Sequence, residues 1–452
     1  MLQGHKGKFV RVIDVNEDED ILVTGGGDSL VRIWNISDSI NNSRGGNLTW
    51  AYLHNNINNN NNNTTNKKES IRTIHIKKTN EVIVVTNKNI YNYKCDTMEW
   101  EIINSCKYQY TNVLYLDRIE CVVMGDIEGN LSVLFNNGNE TVINAHKKSI
   151  VGIIKLNNDW NDNKNYKFDN TNSFFTTSYD GELHWWYVDL EKQIIKTIAV
   201  FKLPDIQDKK EGKQRPRIIY TVALLNHFNL IVGDSDGSLH SFDLFNILNN
   251  DDHDNNNDNN NNNNNKYITE TEFSKINVHS NDRVTGIIKI DDNIVYSVGR
   301  DGNIVEHKII KINNDNNNSD YKITLEKITS YKTNSKMEMI TTIEMIDNNI
   351  FIYGFFSSDF IVENFTTKTK IIQINCGGFK RSFDYFQYNS SSDFLFVYTK
   401  DNNLAICSSV ISNNDNNKIK SKSLYVQSHG LHINTINTIS CNDAKWRFIT
   451  VN

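Results

Sequence analysis

The sequence predicts an all-β fold, a β-propeller of repeated antiparallel units, and three observations predict it. The first is a set of four side chains that recurs at fixed spacing. It reads His5, Thr24, Asp28, Trp34, then His146, Thr176, Asp180, Trp186, with a weaker copy at His279, Ser297, Asp301, His307. The second is a run of short apolar segments joined by Asp-Gly-like turns, a strong hairpin signal. The third is composition. There are 19 Tyr and 21 Phe but only 2 Pro, which suits strands whose turns rely on Gly, Asn and Asp.

The repeating unit is an apolar strand, a gap, a second apolar strand, a turn and a third strand. The first copy uses residues 9–13, 21–24 and 30–34 around Asp28-Ser29. The second uses 71–76, 82–86 and 90–93 around Lys88-Asn89, and the third 113–116, 121–124 and 131–135 around Glu128-Gly129. The fourth uses 150–154, 174–177 and 183–188 around Asp180-Gly181, and the fifth 218–225, 230–232 and 239–242 around Asp236-Gly237. The sixth uses 284–288, 294–297 and 304–307 around Asp301-Gly302. The seventh uses 340–345, 350–353 and 360–365 around Ser358-Asp359, and the eighth 382–386, 394–398 and 404–407 around Asn402-Asn403.

The four recurring side chains have complementary hydrogen-bonding chemistry. Trp only donates, Ser or Thr and His can do both, and Asp only accepts. A closed relay, Trp to hydroxyl to His to Asp, rigidifies a strand-turn-strand unit when every member is satisfied. His with Asp and a hydroxyl also has the composition of a catalytic triad. Recurrence in several units argues for a structural relay, because a catalytic constellation is normally built once per site. The first copy ends Trp34-Asn35, close to the Trp-Asp ending of WD repeats.

Asn-rich insertions at 55–63, 157–172, 251–265, 313–318 and 413–417 lengthen the repeats. Such tracts cannot bury apolar surface and are expected as disordered loops. Asp251-Asp252-His253-Asp254 is read as a solvated acidic loop rather than a metal site. A ninth unit starts at His429-Gly430 and stops after two strand runs. The expected organisation is a single WD blade over 1–40, which could end a preceding propeller, then seven blades over 66–411 closing as one ring. A truncated repeat follows over 412–452, so both ends look cut from a longer array. The alternative is that all eight blades share one ring.

Net charge is -6, so DNA binding is not expected and any RNA contact should be a local patch. No apolar run approaches the roughly 20 residues of a membrane helix. The 6 Cys are dispersed without a Cys-x-x-Cys pair, and without a signal peptide they are expected as reduced thiols in a cytoplasmic protein. No phosphate loop, nucleophile elbow or zinc-protease motif is present. Gly25-Gly26-Gly27 leads into a hairpin, not a helix. A non-catalytic scaffold is therefore expected, with no catalytic residues, cofactor or metal.

Three local features stand above the scaffold. Lys209-Lys210, Lys213-Gln214-Arg215 and Arg217 form a basic cluster before the fifth repeat, either a solvated face or a patch for phosphate or an acidic partner. Cys376-Gly377-Gly378-Phe379-Lys380-Arg381-Ser382 is either a tight turn between blades or a turn presenting Lys380 and Arg381. Arg300 lies in Gly299-Arg300-Asp301-Gly302, where an exposed hairpin tip is the plainer reading.

These same segments resemble the WD repeat-containing protein 6 family, the non-catalytic partner of the tRNA wobble-position ribose methyltransferase. Leu203-Pro204, Lys213-Gln214-Arg215 and Gly233-Asp234-Ser235-Asp236-Gly237-Ser238 match in order. Val284-Thr285, Val295-Tyr296, Gly299-Arg300-Asp301-Gly302, Gly354-Phe355 and Phe360-Ile361-Val362 follow. Asn375 through Ser382 and then His429-Gly430 with Ile433 complete the series. Before Leu203 the likeness is generic WD pattern. Pro216 stands where the family has Trp, and family members are longer.

The resemblance implies a regulatory subunit for 2′-O-methylation of the tRNA anticodon wobble nucleotide. It would bind an FtsJ-like tRNA ribose methyltransferase and position tRNA, with S-adenosylmethionine held by that partner and no membrane or DNA involved. Lys213, Arg215, Arg300, Lys380 and Arg381 are the candidate contacts to partner or RNA. The alternative is a general interaction hub, such as a ubiquitin-ligase substrate receptor.

Overall fold

The computed structural model describes residues 10–15, 21–26, 30–35, 48–52, 71–77, 81–94, 97, 99–155, 172–207, 214–226, 229–244, 247, 267–271, 273–275, 277–280, 282–313, 321–380, 383–387, 394–400, 403–409, 420–423, 435–439 and 447–451. His5, Asp28, Lys213, Arg381, His429 and almost all of the Asn-rich insertions lie outside them. Among the described residues there are seven four-stranded sheets, one five-stranded sheet and two pairs of strands. No helix there is long and apolar enough to cross a membrane. The chain divides into two compact units, Met1–Asp117 with Ile374–Asn452, and Arg118–Gln373.

In the first unit, β1–β4 (Val10–Val15, Ile21–Gly26, Leu30–Asn35, Leu48–Tyr52) form one sheet. β5–β8 (Ile71–Ile76, Glu81–Thr86, Asn89–Lys94, Glu99–Ser105) form the next. β9 (Tyr110–Leu116) opens the third sheet, and the unit boundary falls after it. The first unit resumes after the second with β32–β35 (Phe383–Gln387, Phe394–Lys400, Asn403–Ser409, Lys420–Ser423) and the pair β36–β37 (Thr435–Ile439, Arg447–Val451). β36 packs on β32, β37 packs on β1, and β1 packs on β5. The two ends of the chain's strand series are thus neighbours within this unit.

In the second unit, β10–β12 (Cys121–Asp126, Asn130–Leu134, Glu140–Asn144) lead into β13–β16 (Ile150–Lys155, Ser173–Ser178, Glu182–Asp189, Ile194–Lys202). A short hairpin, β17–β18 (Ile206–Gln207, Gln214–Arg215), precedes β19–β21 (Ile219–Asn226, Asn229–Asp234, Leu239–Asp243). β22 (Tyr267–Glu270) adds to β16 as a parallel fifth strand, and β23 (Phe273–Lys275) then completes the sheet of β19–β21. One segment therefore covers the outer edge of one sheet and finishes the next, which protects an otherwise open ladder. β24–β27 (Val284–Lys289, Ile294–Gly299, Ile304–Asn313, Tyr321–Tyr331) and β28–β31 (Met339–Ile346, Asn349–Phe356, Asp359–Asn364, Thr369–Asn375) follow.

The three strands read in each repeat form, and a fourth, outer strand joins each sheet. The pattern that finds strands is an apolar face, and it is weak in an outer strand such as β8 though strong in β16. β8 is exposed or half-buried along its length, whereas β10 is buried throughout. Central strands are buried on both faces because neighbouring sheets pack on them. Phe175, Trp185, Phe201, Phe242 and Leu244 fill the space between β13–β16 and β19–β21, with Phe201 and Phe242 edge to face at 4.9 Å. Each such buried aromatic contributes about 1.5–3 kcal/mol relative to exposure.

Glycine turns set how closely successive sheets approach. Gly237 and Gly302 sit at φ 76 and 68, a region that costs any other residue. A Cβ on Gly302 would lie 2.3 Å from the Met337 carbonyl oxygen, and one on Gly237 2.7 Å from that of His279. The hairpin turn of each sheet thus abuts the segment leading into the next. The first strands share a second device. Register slips occur between Ile71 and Thr73, Ile150 and Gly152, Ile219 and Thr221, Val284 and Gly286, and Ile340 and Thr342. Each leaves one extra residue, and such bulges re-aim a side chain.

Candidate functional site

The relay residues come together in the fourth repeat. Trp186 Nε1–H donates to Thr176 Oγ1 at 2.7 Å, and that oxygen is 2.8 Å from His146 Nε2. His146 Nδ1 lies 3.1 Å from Asp180 Oδ2. Trp has no acceptor, so donation runs from Trp186 through Thr176 to His146 and ends on the carboxylate. Burial pushes the Asp180 carboxyl up, but the hydrogen bond and field of His146, together with backbone N–H bonds, outweigh it and hold the group at about 2. Its Oδ1 and Oδ2 also accept the backbone N–H groups of Glu182 and Lys147. The acid therefore pins the turn and the leading segment at once.

The sixth repeat closes the same chain with His307 in place of Trp. Ser297 Oγ is 2.9 Å from both His279 Nε2 and His307 Nε2, and His279 Nδ1 is 3.0 Å from Asp301. The far nitrogen of His307, Nδ1, is buried with no hydrogen-bond partner. Desolvation pushes the His307 imidazole down to about 3, with Lys275 and His279 adding to the effect. In the first repeat Thr24 and Trp34 lie on paired strands β2 and β3, while His5 and Asp28 are outside the described residues.

The fifth repeat holds a charged substitute that the spacing of the relay did not reveal. Arg217 donates to Asp234 Oδ2 at 2.6 Å, to Ser238 Oγ at 3.1 Å and to the Pro204 carbonyl at 3.0 Å. His240 Nε2 is 3.1 Å from the same carboxylate oxygen. Asp234 Oδ1 accepts the N–H groups of Asp236 and Ser238. Burial raises the Asp234 carboxyl, and bonds from His240, Ser238 and Arg217 hold it below the usual range. Asp126 does the same work in the third repeat, accepting from the N–H groups of Glu128 and Asn130. The signal is an Asp at the end of the second strand, two residues before the turn acid, at Asp126 and Asp234.

His146, Glu182 and His184 place their ligand atoms within 4.8 Å of one another. Both ring nitrogens of His146 already serve the relay, and His184 Nε2 bonds Glu182 at 2.9 Å. A cation there would have to break the relay. The histidines stack at 4.0 Å between centroids, and the cluster reads as core structure.

The candidate contact residues fall in different settings. Arg215 is exposed and forms a two-pronged ion pair with Asp236. Arg217 is buried in the network above, so the basic cluster divides between surface and core. Pro216 packs against the turn at Gly181. Arg300 is half-buried in its turn, and its N–H donates to the Arg283 carbonyl at 3.0 Å. Lys380 is exposed in the first unit, after Gly377 and Gly378 at φ 89 and 90 and the buried Cys376. Lys213 and Arg381 lie outside the described residues.

Sequence reasoning missed Arg283 and Tyr220. Tyr220 is the extra residue in the bulge of β19, and the Arg283 guanidinium lies over its ring at 3.5 Å from the centroid. Burial holds Arg283 below the ordinary arginine range against the favourable field of Tyr220, and the charge of Arg300 pushes the same way as burial. No spacing rule predicts this pair, because it joins a bulge in one sheet to the leading segment of the next.

The WD domain, G-beta repeat family pattern matches residues 1–35. No curated protein matches the chain in sequence. The crystal structure of the Saccharomyces cerevisiae Sqt1 is similar over 88% of this chain and 95% of that one, at 12% identity and a TM-score of 0.52. The crystal structure of the WD40 beta propeller domain of Doa1 is similar over 78% of this chain and 90% of that one, at 13% identity and a TM-score of 0.35. With 1441 matching chains of known structure, the fold is shared too widely to select a function. The repeated sheets and the likeness to Sqt1 show an all-β β-propeller fold, and residues 1–35 match a WD repeat.

Proposed function

We propose that the chain is a non-catalytic propeller scaffold that mediates protein interactions as a regulatory subunit for 2′-O-methylation of the tRNA wobble nucleotide. The observation that carries this reading is the shared order of the segments from Leu203 to Ile433. The His, hydroxyl and Asp sets favour a scaffold over an enzyme. In the fourth and sixth repeats their nitrogens and oxygens are spent on one another and on turn N–H groups. In this role the scaffold holds an FtsJ-like methyltransferase and orients tRNA, and the reaction gains from positioning. S-adenosylmethionine and the reacting groups belong to the partner.

Affinity purification of the tagged chain, with ribose methylation of the wobble nucleotide read in a deletion strain, tests the proposal. Recovery of a ribose methyltransferase and loss of the modification are expected. Normal wobble methylation without the chain, with cullin-type partners recovered instead, would sink it. Methyl transfer to tRNA by the purified chain alone would overturn the non-catalytic assignment.

A further inference from the structure

We propose that Tyr179, Tyr220, Arg283 and Arg300 form a clamp for single-stranded RNA in the second unit, with phosphates on the two guanidiniums and a base on Tyr179. The inference rests on the tRNA reading above and adds the strand state of the RNA and the residues that take it.

Turns and leading segments of three sheets bring the four residues to one edge. Tyr179 lies in the turn between β14 and β15. Gly181 of that turn abuts Pro216 and Arg217, and the same segment runs into the bulge at Tyr220. The turn of the β19–β21 sheet in its turn abuts the His279 and Asp282 carbonyls, through Gly237. Arg283 follows directly and lies on the Tyr220 ring. Its carbonyl accepts the Arg300 N–H, which brings the turn after β25 to the same place.

The charges at this edge are unbalanced in a way that the neighbouring arginines are not. Arg215 and Arg217 each have a carboxylate partner. Among the described residues no carboxylate lies within ion-pair distance of the Arg283 or Arg300 guanidinium. Asp282 turns its Oδ1 to the Arg283 main-chain N–H. The Arg300 charge opposes that of the partly desolvated Arg283, and like charges disfavour each other. An anion would relieve that repulsion, and in a protein of net charge -6 the spot stands out.

The aromatic members select the kind of anion. Tyr179 is 47% exposed, two residues before Gly181, which abuts the segment that runs into Tyr220, and its field reaches Arg283. An exposed ring at the same edge as planar guanidiniums offers stacking faces, which unpaired bases use and an A-form duplex does not. The Tyr220 ring packs against Arg283, so the guanidinium is presented with less entropy left to lose. An acidic peptide would use the charges and leave the Tyr179 ring idle.

The test measures anisotropy of a labelled anticodon stem-loop RNA, a blunt RNA duplex of equal length and an oligo-glutamate peptide against the full chain. The expected result is preference for the stem-loop. Tyr179→Ala should weaken that binding about 5- to 100-fold. Arg300→Ala should reduce the slope of log affinity against log salt by about 0.7 for each phosphate lost. Lys196→Ala, whose partner is Asp189, is the control, and unchanged melting of each variant shows that the fold is intact. Equal binding of duplex and stem-loop, or a folded Tyr179→Ala and Arg300→Glu that both bind like the wild type, would overturn the clamp. Peptide competing as well as RNA would reassign the site to an acidic partner and also overturn it. Methyltransferase recovery in the purification above is read separately. If it persists while the clamp fails, only this inference falls. If it is absent while the clamp binds RNA, the regulatory reading falls.

Discussion

Replacing His307 with Gln should remove a pH liability from the sixth repeat. His307 fills the place that Trp186 holds in the fourth, and its Nε2 reaches Ser297 at 2.9 Å. Burial holds its folded value at about 3 against 6.5 in the open chain. The unfolded chain therefore binds a proton that the folded chain refuses. Stability is intact above 6.5 and falls as pH drops from 6.5 toward 3. At pH 5 the loss is about 2 kcal/mol, from about 1.36 kcal/mol for each pH unit below 6.5. Gln keeps an N–H for Ser297 and has no charge to acquire. Urea unfolding at pH 7.5 and pH 5, followed by the fluorescence of buried Trp185 and Trp186, measures the difference. The wild type should lose about 2 kcal/mol more than His307→Gln between the two pH values. The paired carboxylates do not blur the comparison. Asp180 and Asp301 are held below their ordinary values and lose their contribution only as pH falls below about 4. Equal losses in both proteins, with equal dependence on urea, would refute the reasoning.

The remaining predictions concern the turns and networks. Thr176→Val strips the acceptor of Trp186 and the partner of His146, and should cost about 2–4 kcal/mol in urea unfolding. Gly302→Ala places a Cβ 2.3 Å from a carbonyl oxygen at φ +68, whereas Gly138→Ala at φ +84 meets nothing within 4 Å. The first should lower stability by at least about 2 kcal/mol and the second by about 1–2 kcal/mol, a contrast read by thermal unfolding. Arg217→Ala leaves His240 as the one side chain bonded to the buried Asp234 carboxylate among the described residues, and should cost about 3–5 kcal/mol or prevent folding. Asp180→Asn should weaken the protein at neutral pH and flatten the part of its acid denaturation that lies between pH 4 and pH 2, since Asp180 sits at about 2.

Much of the repeat was legible in the residues. The spacing of Thr176, Asp180 and Trp186 is the spacing of two strands and a turn, so chemistry and register coincide. The fourth strands were not legible, because they lie beyond the hairpin turn that marks each repeat; β8 is little buried, while β16 is largely buried. Nor was the charged network of the fifth repeat, where Arg217 arrives from a leading segment rather than from the hairpin. Arg215 was legible as a basic residue, but nothing in its neighbours showed that Asp236 would neutralise it.

The sequence by itself determined the fold class and the turns. Short apolar runs and the donor and acceptor inventory of His, Thr, Asp and Trp are local properties. It also carried the ordered segments behind the functional proposal. Only the tertiary structure decided which charged groups are spent and which are offered. Arg217 and Arg283 look alike in the chain, yet one is saturated by Asp234 and the other lies on the ring of Tyr220 beside Arg300. That difference arises where glycine turns let successive sheets meet and a bulge turns Tyr220 toward its neighbour. Such contacts join residues of different sheets, and local spacing does not encode them.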